Sequence, residues 1–114
     1  MITVKPCIFC RIIKKELPSK IVLENDDVMV IEDIASKAPV HYLIFPKKHI
    51  KDFISLQAGD SGVLAAVVQA VKKCAKKLSG SQSFQLVTNN GQDAGQSVFH
   101  LHFHFLSGKK VIGL

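Results

Sequence analysis

The hydrophobic residues that follow Asp60 recur with the period of an α-helix. Apolar side chains are spaced three and four residues apart, and lysines occupy the opposite face. This period predicts an amphipathic helix with one buried face. Asp60 or Ser61 can cap its start, and Gly80 follows its end. The apolar positions are Val63, Leu64, Val67, Val68, Val71, Cys74, Ala75 and Leu78.

The other apolar residues fall in short runs of β-forming residues separated by turn residues. The segment Asn25–Asp27 separates the first two runs, which predicts a hairpin. Near the N-terminus, Ile8–Lys14 predicts a short helix that ends before Pro18. Mostly sequential strands with one long helix predict an α+β fold built on an antiparallel sheet. The predicted strands are Lys20–Glu24, Val28–Asp33, His41–Pro46, Phe84–Asn89 and Val98–Leu106.

Length and composition narrow the class of protein. The chain has 114 residues, 47% of them hydrophobic and 21% charged, which suits a single domain over residues 1–114. The longest apolar stretch, Val63–Val68, is far shorter than the roughly 20 residues of a membrane span, so we expect no membrane partner. The N-terminus lacks the apolar segment of a signal peptide, and the three cysteines are an odd number. We therefore expect a cytoplasmic protein with reduced thiols, small enough to enter a nucleus.

The charge balance bears on the ligand. The net charge of +6 favours anionic ligands in general. However, the lysines are dispersed in pairs, and no basic tract is interleaved with aromatic residues. We therefore expect no specific binding of nucleic acid.

Three of the five histidines alternate with apolar residues near the C-terminus, at His100, His102 and His104. In a strand this alternation puts the three histidines on one face, and the other face, which must be the core, carries Phe99, Leu101, Phe103 and Phe105. A solvent-facing strand would more often use Lys, Thr, Glu or Ser. A His-x-His pair can chelate a catalytic metal, but such sites usually need carboxylates, which are few here. A neutral imidazole can also act as a covalent nucleophile.

The loop before the histidines offers donors for an anion. It runs from Asn89 through Gly91 and Gly95 to Ser97. Glycines let backbone N–H groups point at an anion, and Asn89 and Ser97 add side-chain donors. Beside three histidines, this loop indicates an anion-binding site with a nucleophile.

The Cys7-x-x-Cys10 pair suits either a metal or a partly buried pair of thiols. Redox chemistry of the thioredoxin kind is disfavoured, because no βαβ unit surrounds the pair.

Taken together, these motifs resemble the histidine triad superfamily, and within it the Hint branch of purine nucleoside phosphoramidases. The pattern His-φ-His-φ-His-φ-φ, with φ apolar, is the signature of the superfamily. The segments that resemble the Hint branch are Cys7–Ile13, Glu16–Pro18, Asp33–Ile34, Ala38–His41, Pro46–Ile50 and Gly95–Val98. The resemblance implies an antiparallel five-stranded sheet with one long and one short helix. It also implies a homodimer with a continuous ten-stranded sheet, and hydrolysis of the P–N or P–O bond at the α-phosphate of purine nucleoside phosphoramidates or of aminoacyl adenylates, which releases AMP or GMP.

The resemblance also implies roles for individual residues. His102 is then the nucleophile that forms a nucleotidyl-histidine intermediate, and His104 contacts the phosphate or the leaving group. Ser97 helps to protonate the departing amine, His41 orients the catalytic ring, and Asp33 holds the ribose hydroxyls. The implied nucleotide-binding residues are Ile8, Phe9, Ile12, Ile31, Asp33, Ile34, Asn89, Gly95, Gln96, Ser97, His102 and His104.

Relatives that keep the cysteine pair often bind zinc with four positions that correspond here to Cys7, Cys10, His49 and His100. The resemblance thus implies a structural zinc ion and a catalytic reaction that requires no cofactor. His100 is then a structural ligand, which leaves His102 and His104 for chemistry.

Other functions remain open at this point. The chain could be a nucleotide-binding regulatory or interaction module with little turnover, or a mononuclear metal hydrolase. The C-terminus has no Trp-bearing tail of the kind that some Hint proteins use on the leaving-group side, so a dinucleoside polyphosphate hydrolase is a further alternative.

Overall fold

A computed structural model describes residues 7–113. The elements are α1 (Ile8–Ile13), β1 (Ile21–Glu24), β2 (Val28–Glu32), β3 (Val40–Pro46), α2 (Ser61–Lys76), β4 (Gln85–Val87) and β5 (Phe103–Ser107). The five strands form one antiparallel sheet in the order β1-β2-β3-β5-β4. The predicted five-stranded sheet with one long and one short helix is confirmed.

Successive strand residues divide the core between the two faces of the sheet. On one face, Val30, Ile44 and Phe105 pack with Val67 and the other apolar residues of α2. The second face carries Met29, Ile31 and Phe45, which pack with Phe9 and Ile12 of α1. The two helices therefore cover opposite faces of the sheet. His100, His102 and His104 lie on the face covered by α1.

The longest helix, α2, has 16 residues, and no helix within residues 7–113 is both long and apolar enough to cross a membrane. Asp60 stands at its N-cap position, but its side chain makes no capping hydrogen bond to the helix. The carboxylate instead accepts from Lys48 Nζ at 2.6 Å and from Gln57 N at 3.0 Å.

The prediction of a last strand over Val98–Leu106 is wrong at its start, because β5 begins at Phe103. Residues 98–102 leave the ladder and bond elsewhere. Leu101 N–H donates to Ile50 O at 2.6 Å, and the ring of His100 reaches Pro46 O at 2.7 Å. Phe99 is exposed and does not join the core.

Candidate active site and metal centre

A cleft of about 330 Å³ lies on the α1 face, between α1, β3 and the loop that precedes β5. His102 and His104 are at one side of it, and Asp33 and Lys37 are at another. The histidine face is therefore lined by protein and is not an open surface. Within residues 7–113, the lining consists of Ile8, Phe9, Asp33, Lys37, Leu43, Asn89, Gly95, Ser97, Val98, His102 and His104.

The orientation of the His102 ring is fixed by a backbone carbonyl. His102 Nδ1 lies 2.8 Å from His100 O, so Nδ1 carries the proton and donates it. The neutral ring then has its lone pair on Nε2. In the described part of the chain, every side-chain nitrogen or oxygen that is shielded from solvent has a hydrogen-bond partner. His102 Nε2 has no such partner, so this atom is in contact with solvent in the cleft.

A second chain of hydrogen bonds fixes the tautomer of His104. The backbone N–H of Lys37 donates to His41 Nδ1 at 3.1 Å, so neutral His41 carries its proton on Nε2. His41 Nε2–H lies 3.0 Å from His104 Nδ1 and 3.3 Å from Asp33 Oδ2. Two N–H groups cannot face each other, so His104 Nδ1 accepts and His104 Nε2 carries the proton. The cleft thus contains one imidazole with a free lone pair and one with a free N–H.

Burial keeps these rings uncharged. Desolvation lowers the pKa of His41 and of His102, and Asp33 only partly opposes this effect. Desolvation, with smaller contributions from His102 and His41, lowers the pKa of His104 to about 4. At neutral pH the site therefore offers neutral imidazoles.

The loop before β5 is organised around the buried amide of Gln96. Its Oε1 accepts from Gly91 N at 2.8 Å, and its Nε2 donates to Lys51 O at 2.8 Å and to Val98 O at 3.1 Å. Gly91 and Gly95 have φ values of 90° and 94°, which L side chains rarely adopt. Gln96 thus shapes the loop that brings Asn89, Gly95 and Ser97 to the cleft.

The structure brings most of the implied site residues together but separates a few. Ile12 and Ile31 are buried in the core beneath α1. Ile34 is fully exposed and lines an adjoining cavity of about 560 Å³ that shares Asp33 with the cleft. His41 and Gln96 lie behind the lining. The implied residues in the lining are Ile8, Phe9, Asp33, Asn89, Gly95, Ser97, His102 and His104.

Sequence reasoning missed Lys37, Leu43 and Val98, which also line the cleft. Among residues 7–113, Lys37 is the only lysine or arginine in the lining, and its backbone amide orients His41. The chain has 15 lysine and arginine residues, and no motif distinguishes Lys37 from the other fourteen.

Cys7, Cys10, His49 and His100 bring four ligand atoms within 4.8 Å of one another. A tetrahedral zinc ion, with bonds of about 2.3 Å to sulfur and about 2.05 Å to nitrogen, holds N–N pairs about 3.3 Å apart and S–N pairs about 3.6 Å apart. The Nδ1 atoms of His49 and His100 are 3.2 Å apart. Cys7 Sγ and Cys10 Sγ lie 3.3 and 3.7 Å from His100 Nδ1, and Cys10 Sγ lies 3.3 Å from His49 Nδ1.

The chemistry of the donors also fits zinc. His100 Nε2–H donates to Pro46 O at 2.7 Å, which leaves the Nδ1 lone pair for a metal. Burial, reinforced by the neighbouring Cys7 thiol, raises the pKa of the Cys10 thiol to about 11. A bound cation would hold this thiol as the thiolate near neutral pH.

Asp33, His41 and His104 form a second group of three donor atoms within 4.8 Å, but they fit a metal poorly. A metal on His41 Nε2 would force the ring proton onto Nδ1, where it would face the N–H of Lys37. The fixed tautomer of His41 therefore favours a hydrogen-bond relay at this position.

Comparison with known proteins agrees with this architecture. The family model of the HIT domain matches residues 14–111. An uncharacterised HIT-like protein of Synechocystis is 39% identical over 102 residues, which cover 90% of each chain. A HIT family hydrolase of Clostridium thermocellum is 42% identical, with a TM-score of 0.88 and 98% of each chain covered. A histidine triad nucleotide-binding protein of Candida albicans is 33% identical, with a TM-score of 0.77 over 88% of this chain and 73% of that one. The chain therefore belongs to the HIT domain family.

Proposed function

We propose that the protein hydrolyses purine nucleoside phosphoramidates at the α-phosphate through a nucleotidyl intermediate on His102, and releases AMP or GMP. The fixed orientation of His102 carries this proposal. Its Nδ1–H is held by the carbonyl of His100 at 2.8 Å, and its Nε2 lone pair meets the cleft. Such an arrangement suits attack on an electrophile in the cleft by a neutral ring.

The proposed reaction has two displacements. In the first, His102 Nε2 forms a bond to phosphorus, the P–N bond breaks, and the nitrogen takes a proton as it leaves as an amine. Ser97 lies in the lining where its hydroxyl can supply that proton. In the second, water forms a P–O bond, the bond between phosphorus and Nε2 breaks, and the proton that water loses restores the Ser97 hydroxyl. His104 Nε2–H donates a hydrogen bond to the phosphate, and the Lys37 ammonium balances its charge.

The two adjoining cavities suit the rest of a nucleotide. Asp33 belongs to both, so its carboxylate can accept from ribose hydroxyls while the phosphate lies against the histidines. Ile8 and Phe9 on one side, and Ile34 on the other, offer apolar surface to a purine. Relatives described as a HIT family hydrolase and as a histidine triad nucleotide-binding protein support this class of ligand.

We further propose that Cys7, Cys10, His49 and His100 hold a structural zinc ion. Four protein ligands fill the tetrahedral coordination of zinc and leave no open position for substrate. Protein purified under reducing conditions, without added metal or chelator, should carry one zinc per chain by elemental analysis. Protein that carries no zinc and takes up none on titration would contradict this assignment.

We also propose a homodimer formed through the face that carries α2 and β4. In the sheet of the described residues, β4 is an edge strand whose one neighbour is β5. An apolar groove of about 360 Å³ beside it is lined by Phe53, Val68, Phe84 and Leu86, all partly exposed, together with the exposed Lys72 and apolar residues of α2 and β5. A second copy that pairs along β4 would bury this surface. Val68→Glu should yield monomers by light scattering, whereas Ile21→Glu on the opposite edge should not.

The decisive experiment follows adenosine 5′-phosphoramidate after mixing with the wild type and with His102→Ala. We expect release of AMP by the wild type, with the AMP adduct trapped on His102 by acid quenching and found by peptide mass spectrometry. His102→Ala should bind AMP but should show neither adduct nor turnover. Near-normal turnover by His102→Ala would refute the covalent scheme. Binding of AMP without turnover by the wild type would instead support a nucleotide-binding module.

A further inference from the structure

The nucleophile proposed above lies outside the regular sheet. β5 begins at Phe103, one residue after His102, and the register of β3 with β5 ends at the pair Ile44 and Phe103. Strand hydrogen bonds therefore do not hold His102 in place. Its main chain is tied by Thr88 Oγ1–H, which donates to His102 O at 2.9 Å, and by Leu101 N–H, which donates to Ile50 O.

His100 is the residue that connects the metal cluster to this segment. Its Nδ1 lies 3.3 Å from Cys7 Sγ and 3.2 Å from His49 Nδ1. Its carbonyl oxygen accepts the hydrogen bond from His102 Nδ1 at 2.8 Å. One residue therefore offers its side chain to the metal and its backbone to the nucleophile.

The short helix α1 makes a second connection. Cys7 and Cys10 bracket Ile8 and Phe9, which line the cleft. The edge of the Phe9 ring contacts His100 and His102, with centroids 5.7 and 5.1 Å apart. A helix of six residues has little stability of its own. Bonds from Cys7 and Cys10 to one metal ion would therefore fix Ile8 and Phe9, which form this wall of the cleft.

We propose that the four metal ligands are positioning residues for the active site: a metal bound by them fixes the His102 ring through His100 and the Ile8–Phe9 wall through the two cysteines. Metal binding and nucleotide binding are then coupled. The coupling is reciprocal, so that the factor by which zinc tightens AMP binding equals the factor by which AMP tightens zinc binding. The inference rests on the proposed function in three respects: the cleft is a nucleotide site, His102 is the nucleophile, and the four ligands hold a metal ion.

The first test uses the wild type alone and needs no turnover. Zinc release to a chromophoric chelator is timed with and without AMP, and Co²⁺-loaded protein is titrated with AMP while the thiolate-to-cobalt absorption is recorded. We expect AMP to slow zinc release by roughly tenfold or more, in line with the effect of partners that orient metal ligands. The cobalt bands should shift as AMP binds.

The second test removes His49, the exposed ligand of the cluster. His49 is exposed and does not belong to the cleft lining, so His49→Gln weakens the metal site without touching the nucleotide. Under reducing conditions we expect a roughly 10- to 100-fold lower kcat and a weaker Kd for AMP. Val30→Ala is the matched control, because it creates a cavity on the opposite face of the sheet and should lower Tm while leaving Kd and kcat unchanged.

The outcomes separate this inference from the proposed function. If the wild type turns over substrate, but AMP changes neither zinc release nor the cobalt spectrum, the coupling is refuted and the function stands. If AMP and metal are coupled but the wild type hydrolyses nothing, the inference stands for binding and the hydrolase fails. If His49→Gln loses zinc and keeps the wild-type Kd and kcat, the metal is a structural cross-link only. If the wild type does not bind AMP, both proposals fail.

Discussion

Replacement of His41 tests whether the tautomer of His104 matters. His41→Phe keeps an aromatic ring in this buried position but removes both nitrogens. The Lys37 N–H loses its acceptor, and His104 Nδ1 loses the donor at 3.0 Å. A buried polar group left unsatisfied costs about 1–3 kcal/mol. If about 1–2 kcal/mol of this cost is expressed at His104 in the transition state, kcat falls by about 5- to 30-fold.

The assay compares kcat and KM for adenosine 5′-phosphoramidate in the wild type, His41→Phe and His41→Gln, well below the Tm of each. KM should change little, because His41 lies behind the cleft lining. His41→Gln should recover part of the lost kcat, because its amide can accept from the Lys37 N–H and donate to His104. A His41→Phe variant with the kcat of the wild type, or a His41→Gln variant no faster than His41→Phe at equal stability, would refute the relay.

Three further predictions concern the loop, a turn and pH. Gln96→Ala should destabilise the fold by about 1–3 kcal/mol in chemical denaturation and raise KM more than it lowers kcat, since the Gly91 N–H and the Lys51 and Val98 carbonyls lose their partner in three part-buried hydrogen bonds; an unchanged KM would exclude a role for Gln96 in shaping the loop. Gly80→Ala should destabilise the fold by about 1–2 kcal/mol, because Gly80 has a positive φ that alanine adopts at a cost. Gly108→Ala should destabilise it more, because Gly108 also has a positive φ and a Cβ there would lie 2.8 Å from the Pro39 ring, whereas position 80 is open. Burial lowers the pKa of His104 to about 4 in the folded chain, whereas it is about 6.5 in the unfolded chain. Between these pH values the unfolded chain binds a proton at His104 and the folded chain does not, so the free energy of unfolding falls as the pH decreases from 6.5 towards 4. His104→Asn should flatten this dependence on pH, and equal slopes for the two proteins would contradict the lowered pKa.

The regular part of the fold could be predicted from sequence because its pattern is local. In α2 and in the hairpin of β1 and β2, the buried face appears as a periodic pattern of apolar residues that lie close together in the sequence. The start of β5 could not be predicted in this way. Residues 98–102 continue the strand-like alternation, yet their bonds go to Pro46 and Ile50, and such long-range partners leave no local trace in the sequence.

The residues of the candidate site differ in the same way: some have a local sequence signal, and others are placed only by long-range contacts. Histidines and cysteines are rare enough for their spacing to suggest chemistry, and the cluster of Cys7, Cys10, His49 and His100 follows from it together with the family resemblance. Lys37 acts through its backbone amide and through a position in the cleft that only the fold determines. The isoleucines are ambiguous for a different reason, because a purine pocket and a hydrophobic core use the same side chains.

The division of the sheet between its two helices has a consequence for the mutational tolerance of residues 102–105. Phe103 and Phe105 face α2 and hold the molecule together, whereas His102 and His104 face the cleft. A scan of all substitutions over residues 102–105 should therefore alternate with a period of two between different defects. Substitutions at 103 and 105 should reduce the amount of folded protein in the cell. Substitutions at 102 and 104 should leave abundance near normal while activity per molecule is lost, so the functional and the structural constraints on these four residues can vary independently in descendants of the chain.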